Sequence, residues 1–184
     1  MLHAMRLGLL LTLGAIMGGC PAGLVQVGTS VLSSTAGSAE SAGTGEFSDC
    51  YVPAEGSAWA AEVIQLVNDE RAKYGLNALA PSAELSQAAN AEACDMIHYN
   101  YFDHINPVTG SSPLDRFAAS GFEGNICGEN IAAGQQSPEQ VVDGWIGSPE
   151  HEDNVLSPAF THMGIGIRLG GPYRIYWVQL FGGP

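Results

Sequence analysis

The sequence predicts an α+β domain, on three observations. Apolar stripes at helical spacing, all but the first opened by a capping residue, fill most of the chain after residue 56. The pattern changes to strand-like segments from Met163 onward. Gly170-Gly171-Pro172 then joins the last two segments as a hairpin. Helices first and a terminal hairpin segregate the two element types along the chain, as α+β domains do.

Each element has its own local reason. Ser57 to Tyr74 reads as a helix because Trp59, Val63, Leu66, Val67 and Tyr74 recur at helical spacing, and Gly75 follows as a C-cap. Ser82 to about Tyr99 is a second helix, with Ser82 as its cap and Leu85, Ala88, Ala89, Glu92, Ala93 and Met96 on one face. Residues 100–112 are loop-like, with turn signals at Asn106-Pro107 and Thr109-Gly110. Ser112-Pro113-Leu114-Asp115 supplies an N-cap, a Pro at the first helical position and an acid at the third, opening a short helix that ends at Gly121. Glu123 to Gly134 reads as irregular or a short strand. Ser137-Pro138 and Ser148-Pro149 open two further helices. Residues 163–169 and 173–181 are the closing strands.

The N-terminal part has a different character. Arg6 is the only charge before Glu40, and Leu7 to Met17 is an apolar run broken only by Gly and Thr. That run is too short for a spanning helix, which needs roughly 20 residues, and suits the core of a secretory signal over residues 1–19. Met17-Gly18-Gly19-Cys20 resembles a bacterial lipobox, whose Cys becomes a lipidated first residue. Residues 20–49 are rich in Gly, Ser, Thr and Ala, as in a flexible tether, and residues 50–184 are expected to form one domain.

The formal net charge is −13 and becomes −14 without Arg6. After residue 19 the fixed cations are Arg71, Lys73, Arg116, Arg168 and Arg174. Nucleic-acid binding depends on Lys and Arg neutralising phosphates, so that class is excluded. Adsorption to anionic membranes by charge is disfavoured for the same reason. Export permits disulfides. Cys94 and Cys127 lie within the expected domain and Cys50 at its edge, which makes Cys94–Cys127 the expected pair. Three unbonded thiols packed as small apolar groups are the alternative.

The candidate site is a trio. His104 stands in Phe102-Asp103-His104, Glu129 in Gly128-Glu129-Asn130-Ile131, and His151 at the end of Trp145-Ile146-Gly147-Ser148-Pro149-Glu150-His151. Titratable residues set among Gly, Pro and aromatics are placed by backbone rather than by a solvated helix face. If they converge, two imidazoles and a carboxylate could ligate a divalent metal such as zinc, at about 2.0–2.2 Å. They come from three separate segments without H-E-x-x-H spacing. Glu129 can equally serve as a hydrogen-bond partner that fixes the two rings. Ser148 could lie beside His151 as a nucleophile, but Ser148-Pro149 also reads as an N-cap, which would occupy the hydroxyl.

Several segments together resemble a known family. Leu66-Val67-Asn68-Asp69-Glu70-Arg71, Asp95-Met96, Phe102-Asp103-His104, Asp115-Arg116, Gly121-Phe122, Gly128-Glu129-Asn130-Ile131-Ala132, Trp145 with Ser148-Pro149 and His151, Gly164-Ile165-Gly166 and Tyr176-Trp177-Val178-Gln179-Leu180-Phe181 follow in order. They resemble a bacterial CAP (SCP-like) domain, of the superfamily of cysteine-rich secretory proteins, antigen 5 and plant pathogenesis-related 1 proteins. The resemblance spans roughly residues 57–182. It implies an α-β-α sandwich with a central antiparallel sheet and a cleft holding a His/Glu cluster, often two of each. His104 and Glu129 match two members, and His151 falls on the bacterial W-x-x-S-P-x-H motif. The position of the second Glu is Ser148 here, so the fourth member is missing or is replaced by Glu150 or Glu152.

The resulting expectation is an exported CAP-domain protein of a bacterial envelope, held at the membrane through a lipid on Cys20, with plain secretion and Cys20 as an ordinary thiol as the alternative. Its cleft at His104, Glu129 and His151 is expected to bind a small apolar ligand, an envelope glycan or a protein. The competing expectation is a metal-assisted, protease-like hydrolase in the same cleft. Fold alone does not decide between them.

Overall fold

A computed structural model describes residues 47–184. The expected signal, Cys20 and the tether up to residue 46 lie outside the described residues. Helix α1 (Gly56–Lys73) buries Val63 and Val67 and ends in a Schellman motif. There Leu76 N–H donates to Arg71 O, Gly75 N–H donates to Ala72 O, and Gly75 takes φ 69°. Strand β1 (Ala80–Pro81) is two residues long. Helix α2 (Ala83–His98) is capped as expected, with Leu85 N–H donating to Ser82 Oγ at 3.1 Å. Helix α3 (Pro113–Ala119) carries the full capping box of Ser112 and Asp115.

Strand β2 (Ile126–Ala133) corrects the reading of residues 123–134 as irregular or a short strand. It pairs over all eight residues with the last strand, from Ile126↔Gly183 to Ala133↔Tyr176. Helix α4 (Pro138–Ile146) begins at Ser137, and helix α5 (Pro149–Val155) follows directly. The expected Ser148 side-chain cap is not made. Instead its carbonyl accepts from His151 N–H at 3.0 Å and Glu152 N–H at 2.8 Å. Strands β3 (His162–Gly170) and β4 (Arg174–Gly183) form the closing hairpin.

The sheet order is β1-β3-β4-β2. The three long strands are antiparallel, and only the short β1 pairs parallel, so the sheet is mixed at one edge. Both faces are covered, and β4 shows why. Ile175, Trp177 and Phe181 enter one core with residues of α1, α4 and α5, while Tyr176, Val178 and Leu180 enter a second with residues of α2 and α3. Alternation along a strand sends successive side chains to opposite faces. The expected α-β-α sandwich results. Trp145 and Trp177 are core residues, and Trp59 stacks on Trp177 with ring centroids 5.7 Å apart. Gly164 and Gly166 let α2 lie directly on β3. A Cβ at Gly164 would stand 2.2 Å from Ser86 N, and one at Gly166 would stand 2.3 Å from the Ala89 carbonyl carbon.

The disulfide is Cys50–Cys94, which corrects the expected Cys94–Cys127 pair. Tyr51 exchanges backbone hydrogen bonds with Leu169 at 2.9 and 2.8 Å, and this bridge brings Cys50 beside the last turns of α2. Cys127 lies on β2 and packs against the α2–α3 core. Phe47 stacks on His98 at 3.7 Å, so residues at the end of the expected tether pack against α2. Among the described residues, no helix is long and apolar enough to cross a membrane.

Candidate functional site

The loop after α2 is shaped around Asn106. This residue is fully buried. Its Oδ1 accepts from the backbone N–H of Val108 and Thr109 at 2.9 and 3.1 Å, and its Nδ2 donates to Asp95 at 3.0 Å. An Asx turn of this kind replaces backbone pairing that the loop lacks. His104 sits two residues earlier and is held against β2. Its Nδ1 is 2.8 Å from Glu129 Oε1.

Glu129 is buried on the sheet face that packs against α2 and α3. Arg116 of α3 grips it with three contacts: Nε to Oε2 at 3.2 Å, and Nη2 to Oε1 and Oε2 at 2.9 and 2.8 Å. Nη2 also donates to the carbonyl of His104 at 2.7 Å, and Nη1 to that of Ser111 at 3.1 Å. One guanidinium therefore fixes both the carboxylate and the loop that carries the imidazole. A planar fork of five donors can do this, whereas an ammonium cannot.

A second carboxyl joins from α2. Glu92 Oε2 makes an ion-pair contact with Arg116 Nη1 at 3.1 Å, and Oε1 accepts from the Tyr101 hydroxyl at 2.8 Å. Burial pushes the Glu92 carboxyl up to about 8, against the opposing pull of Arg116 and Tyr101. Burial also raises Asp95, one turn further along α2, and Tyr101. Arg116 is thus shared between two buried carboxyls, Glu129 and Glu92.

His151 approaches from the other face of β2. Asn130, next in sequence to Glu129, points to that face. Its Nδ2 donates to the main-chain carbonyl of His151 at 3.2 Å and to the side-chain oxygen of Gln179 at 3.1 Å. Asn154 donates to Asn130 Oδ1 at 2.9 Å and to Glu129 O at 3.3 Å. This amide ladder ties α5 to the edge strand. At the far end of α5, buried Arg71 donates to Val155 O at 2.6 Å and Ser157 O at 2.9 Å. The two imidazoles are close enough to sense each other. The hydrogen bond to Glu129 raises the pKa of His104 above its ordinary value, partly offset by burial. Burial, and next the charge on His104, lower that of His151.

The expected trio is thus assembled unequally. His104 and Glu129 are bonded directly. His151 is bound through its main-chain carbonyl, and its ring joins through electrostatics. The donor set does not fit the expected zinc site. Both Glu129 oxygens are held by Arg116 and one also by His104, and among the described residues no three His, Cys, Asp or Glu side chains are grouped to hold a metal ion. Arg116, Glu92 and Tyr101 are site residues that the sequence reading misses. A signal is present for Glu92: a lone acid among Leu85, Ala89, Ala93 and Met96 on an apolar helix face is a buried charge that needs a partner.

Fold and site together define a two-faced α-β-α domain with an imidazole–carboxylate pair at the edge of its sheet. The chain belongs to the Cysteine-rich secretory protein (CAP) family, whose sequence pattern matches residues 64–181. It is similar to the protein YkwD of Bacillus subtilis (strain 168), with 43% identity over 129 residues, covering 70% of this chain and 49% of that one. The chain therefore spans about half the length of this relative. Among solved structures, an extracellular protein containing a SCP domain from Bacillus anthracis str. Ames superposes with a TM-score of 0.61 at 29% identity, covering 70% of this chain and 41% of the other. An outer surface protein of Borrelia burgdorferi shares the fold, with a TM-score of 0.60 at 22% identity over 66% of this chain and 89% of that one.

Proposed function

We propose that this chain is an exported protein of a bacterial envelope that binds a segment of a protein partner on the face built around His104, Glu129 and His151. One observation carries the reading. The loop that presents His104 also exposes Phe102, Ile105 and Val108, which are 42%, 47% and 62% accessible. Tyr173, 50% accessible, extends this rim, with its ring 5.8 Å from that of Phe102. Exposed apolar and aromatic side chains beside a fixed polar centre are the composition of a recognition surface. Asn106 and Arg116 hold the loop before any partner arrives, which lowers the ordering cost of binding.

Export is supported by the signal-like residues 1–19 and by the extracellular description of the Bacillus anthracis protein. Attachment through a lipid on Cys20 is part of the same proposal, resting on Met17-Gly18-Gly19-Cys20.

The test is selection of displayed random peptides on the full chain. Peptides that bind saturably, and lose about tenfold or more in affinity on Phe102→Ser or His104→Ala, support the reading. Selections that return only peptides insensitive to both changes reject it. Soluble envelope glycan that binds the same face in place of peptide would transfer the site to a carbohydrate partner.

Hydrolysis is the second reading, favoured by the 2.8 Å Glu129–His104 contact. A buried carboxylate on one ring nitrogen orients an imidazole and supports its protonated form, as in hydrolytic triads. The other nitrogen of His104 would then be the proton-transfer atom, and the attacking group would be water. No step through a metal is included, because Glu129 is committed to Arg116. Peptide or ester turnover lost in His104→Ala would favour this reading over binding alone.

A further inference from the structure

Cations are scarce on this chain, and the structure commits nearly all of those it describes. Arg71 donates to backbone carbonyls from the core, and Lys73 pairs with Glu70. Arg116 pairs with Glu92 and Glu129, and Arg168 donates to Asn90. Arg174 is the exception. It is exposed, and its side chain makes no hydrogen bond or ion pair among the described residues. On a chain of formal net charge −13, acids are plentiful, so an arginine left without one stands out.

The backbone at Arg174 is also one that an arginine disfavours. Gly171, Pro172 and Tyr173 join β3 to β4, Gly170 pairs with Arg174, and Arg174 N–H donates to Gly171 O at 3.2 Å. Hairpin loops of three residues commonly close on a residue with positive φ, where Gly is the unstrained choice. Here Arg174 takes that place, with φ 72°. A side chain kept where it strains the backbone points to a use for that side chain. Its neighbours supply the rest of a site. Tyr173 precedes it and Tyr176 follows two residues on, with their rings 5.7 Å apart. Phe102, from the loop after α2, lies 5.8 Å from the first ring and 6.5 Å from the second. Tyr176 is buried and backs the group, while Phe102 and Tyr173 are exposed.

We propose that Arg174 sets the specificity of this face: the partner segment carries an Asp or Glu carboxylate adjacent to an apolar side chain, with the carboxylate on the Arg174 guanidinium and the apolar group on Phe102 and Tyr173. The inference rests on the reading of this rim as a peptide-binding face. A guanidinium presents parallel N–H donors that match both oxygens of a carboxylate, and the contact is charge-assisted. Exposed aromatic rings take an apolar side chain beside it. The rest of the surface sharpens the choice. A domain rich in acids repels a carboxylate wherever no fixed cation stands, so the acid of the partner fixes the register of the segment at Arg174.

Displayed random peptides are selected on the full chain, and the best binder that loses affinity on Phe102→Ser is synthesised with blocked ends. A second version has its acid replaced by the matching amide. Calorimetry of both peptides against the parent and Arg174→Gln completes a double-mutant cycle. The change from acid to amide should weaken binding to the parent about tenfold, the loss of one charge-assisted contact, and leave binding to Arg174→Gln within about twofold. Arg174→Gly, which relieves the backbone, should weaken the acidic peptide as much as Arg174→Gln does, without lowering the melting temperature. The inference is overturned if Phe102-dependent binders fail to appear or lack acids, or if the amide costs as much on Arg174→Gln as on the parent. It is equally overturned if Arg174→Gly melts lower, which would make the side chain a structural part of the turn. Peptide binding at the face survives those results as long as some selected peptides depend on Phe102 or His104. Selections returning none that do would remove both readings.

Discussion

Arg116 holds Glu129 by both carboxylate oxygens, with its Nη2 2.9 Å from Oε1 and 2.8 Å from Oε2. Both side chains are almost fully buried, at 8% and 1% accessible. The same guanidinium touches Glu92, so removing it strands two buried acids and releases the His104 loop.

Arg116→Met should accordingly cost about 3–5 kcal/mol of unfolding free energy, the usual penalty for breaking a buried ion pair from one side. Arg116→Lys should recover only part, because one ammonium cannot span Glu129, Glu92 and the two loop carbonyls. Urea denaturation of the three proteins measures this. Equal midpoints for Arg116→Met and the parent would show that the network adds nothing to stability.

The two imidazoles should titrate on opposite sides of the ordinary histidine value of 6.5. His104 is raised by its bond to Glu129, and His151 is lowered by burial and then by the charge on His104. The linkage has opposite signs. The stability from His104 is complete below about pH 6.5 and fades as pH rises through its folded value. His151 costs nothing above about 6.5 and removes stability as pH falls from there towards its depressed folded value. Ring-proton NMR titration should show His104 above His151, and Glu129→Gln should bring His104 down. Coincident curves would remove the pairing from the account.

Cys50–Cys94 closes a loop of 44 residues. Replacing both with Ala should cost about 4 kcal/mol on the chain-entropy scale. Peptide mapping without reductant should recover a linked Cys50–Cys94 pair, and Cys127→Ser should leave that pair intact. A Cys94–Cys127 peptide would contradict the arrangement.

Fatty-acid labelling in a bacterial host should mark the parent and spare Cys20→Ser. One acyl chain binds membranes marginally, and stable attachment takes two or more, so the parent should also fractionate with membranes. Equal label in both proteins would exclude Cys20 as the anchor.

What the sequence determined by itself is local in origin. Ser82, Ser112 and Ser137 start helices because a side-chain oxygen satisfies an amide three residues ahead, an interaction written within a few positions. Gly75 ends α1, and the turn at Gly170-Gly171 makes the closing hairpin, for equally local reasons. The run of spaced motifs from Leu66 to Phe181 carried the family, and with it the placement of His104 beside Glu129.

Tertiary structure decided what depends on partners distant in sequence. Ile126–Ala133 becomes a full strand only because β4 pairs with it along its length, since Gly128, Glu129 and Asn130 have poor strand character alone. Ala80–Pro81 is a strand only through β3. The choice of Cys50 over Cys127 rests on the Tyr51–Leu169 bridge, which spans more than a hundred residues. The pairing of Glu92 with Arg116, and the pull of Arg116 on Glu129, arise where α2, α3 and β2 meet. Buried charge has to find its counter-charge in space, and the spacing of residues along the chain does not encode which one it finds.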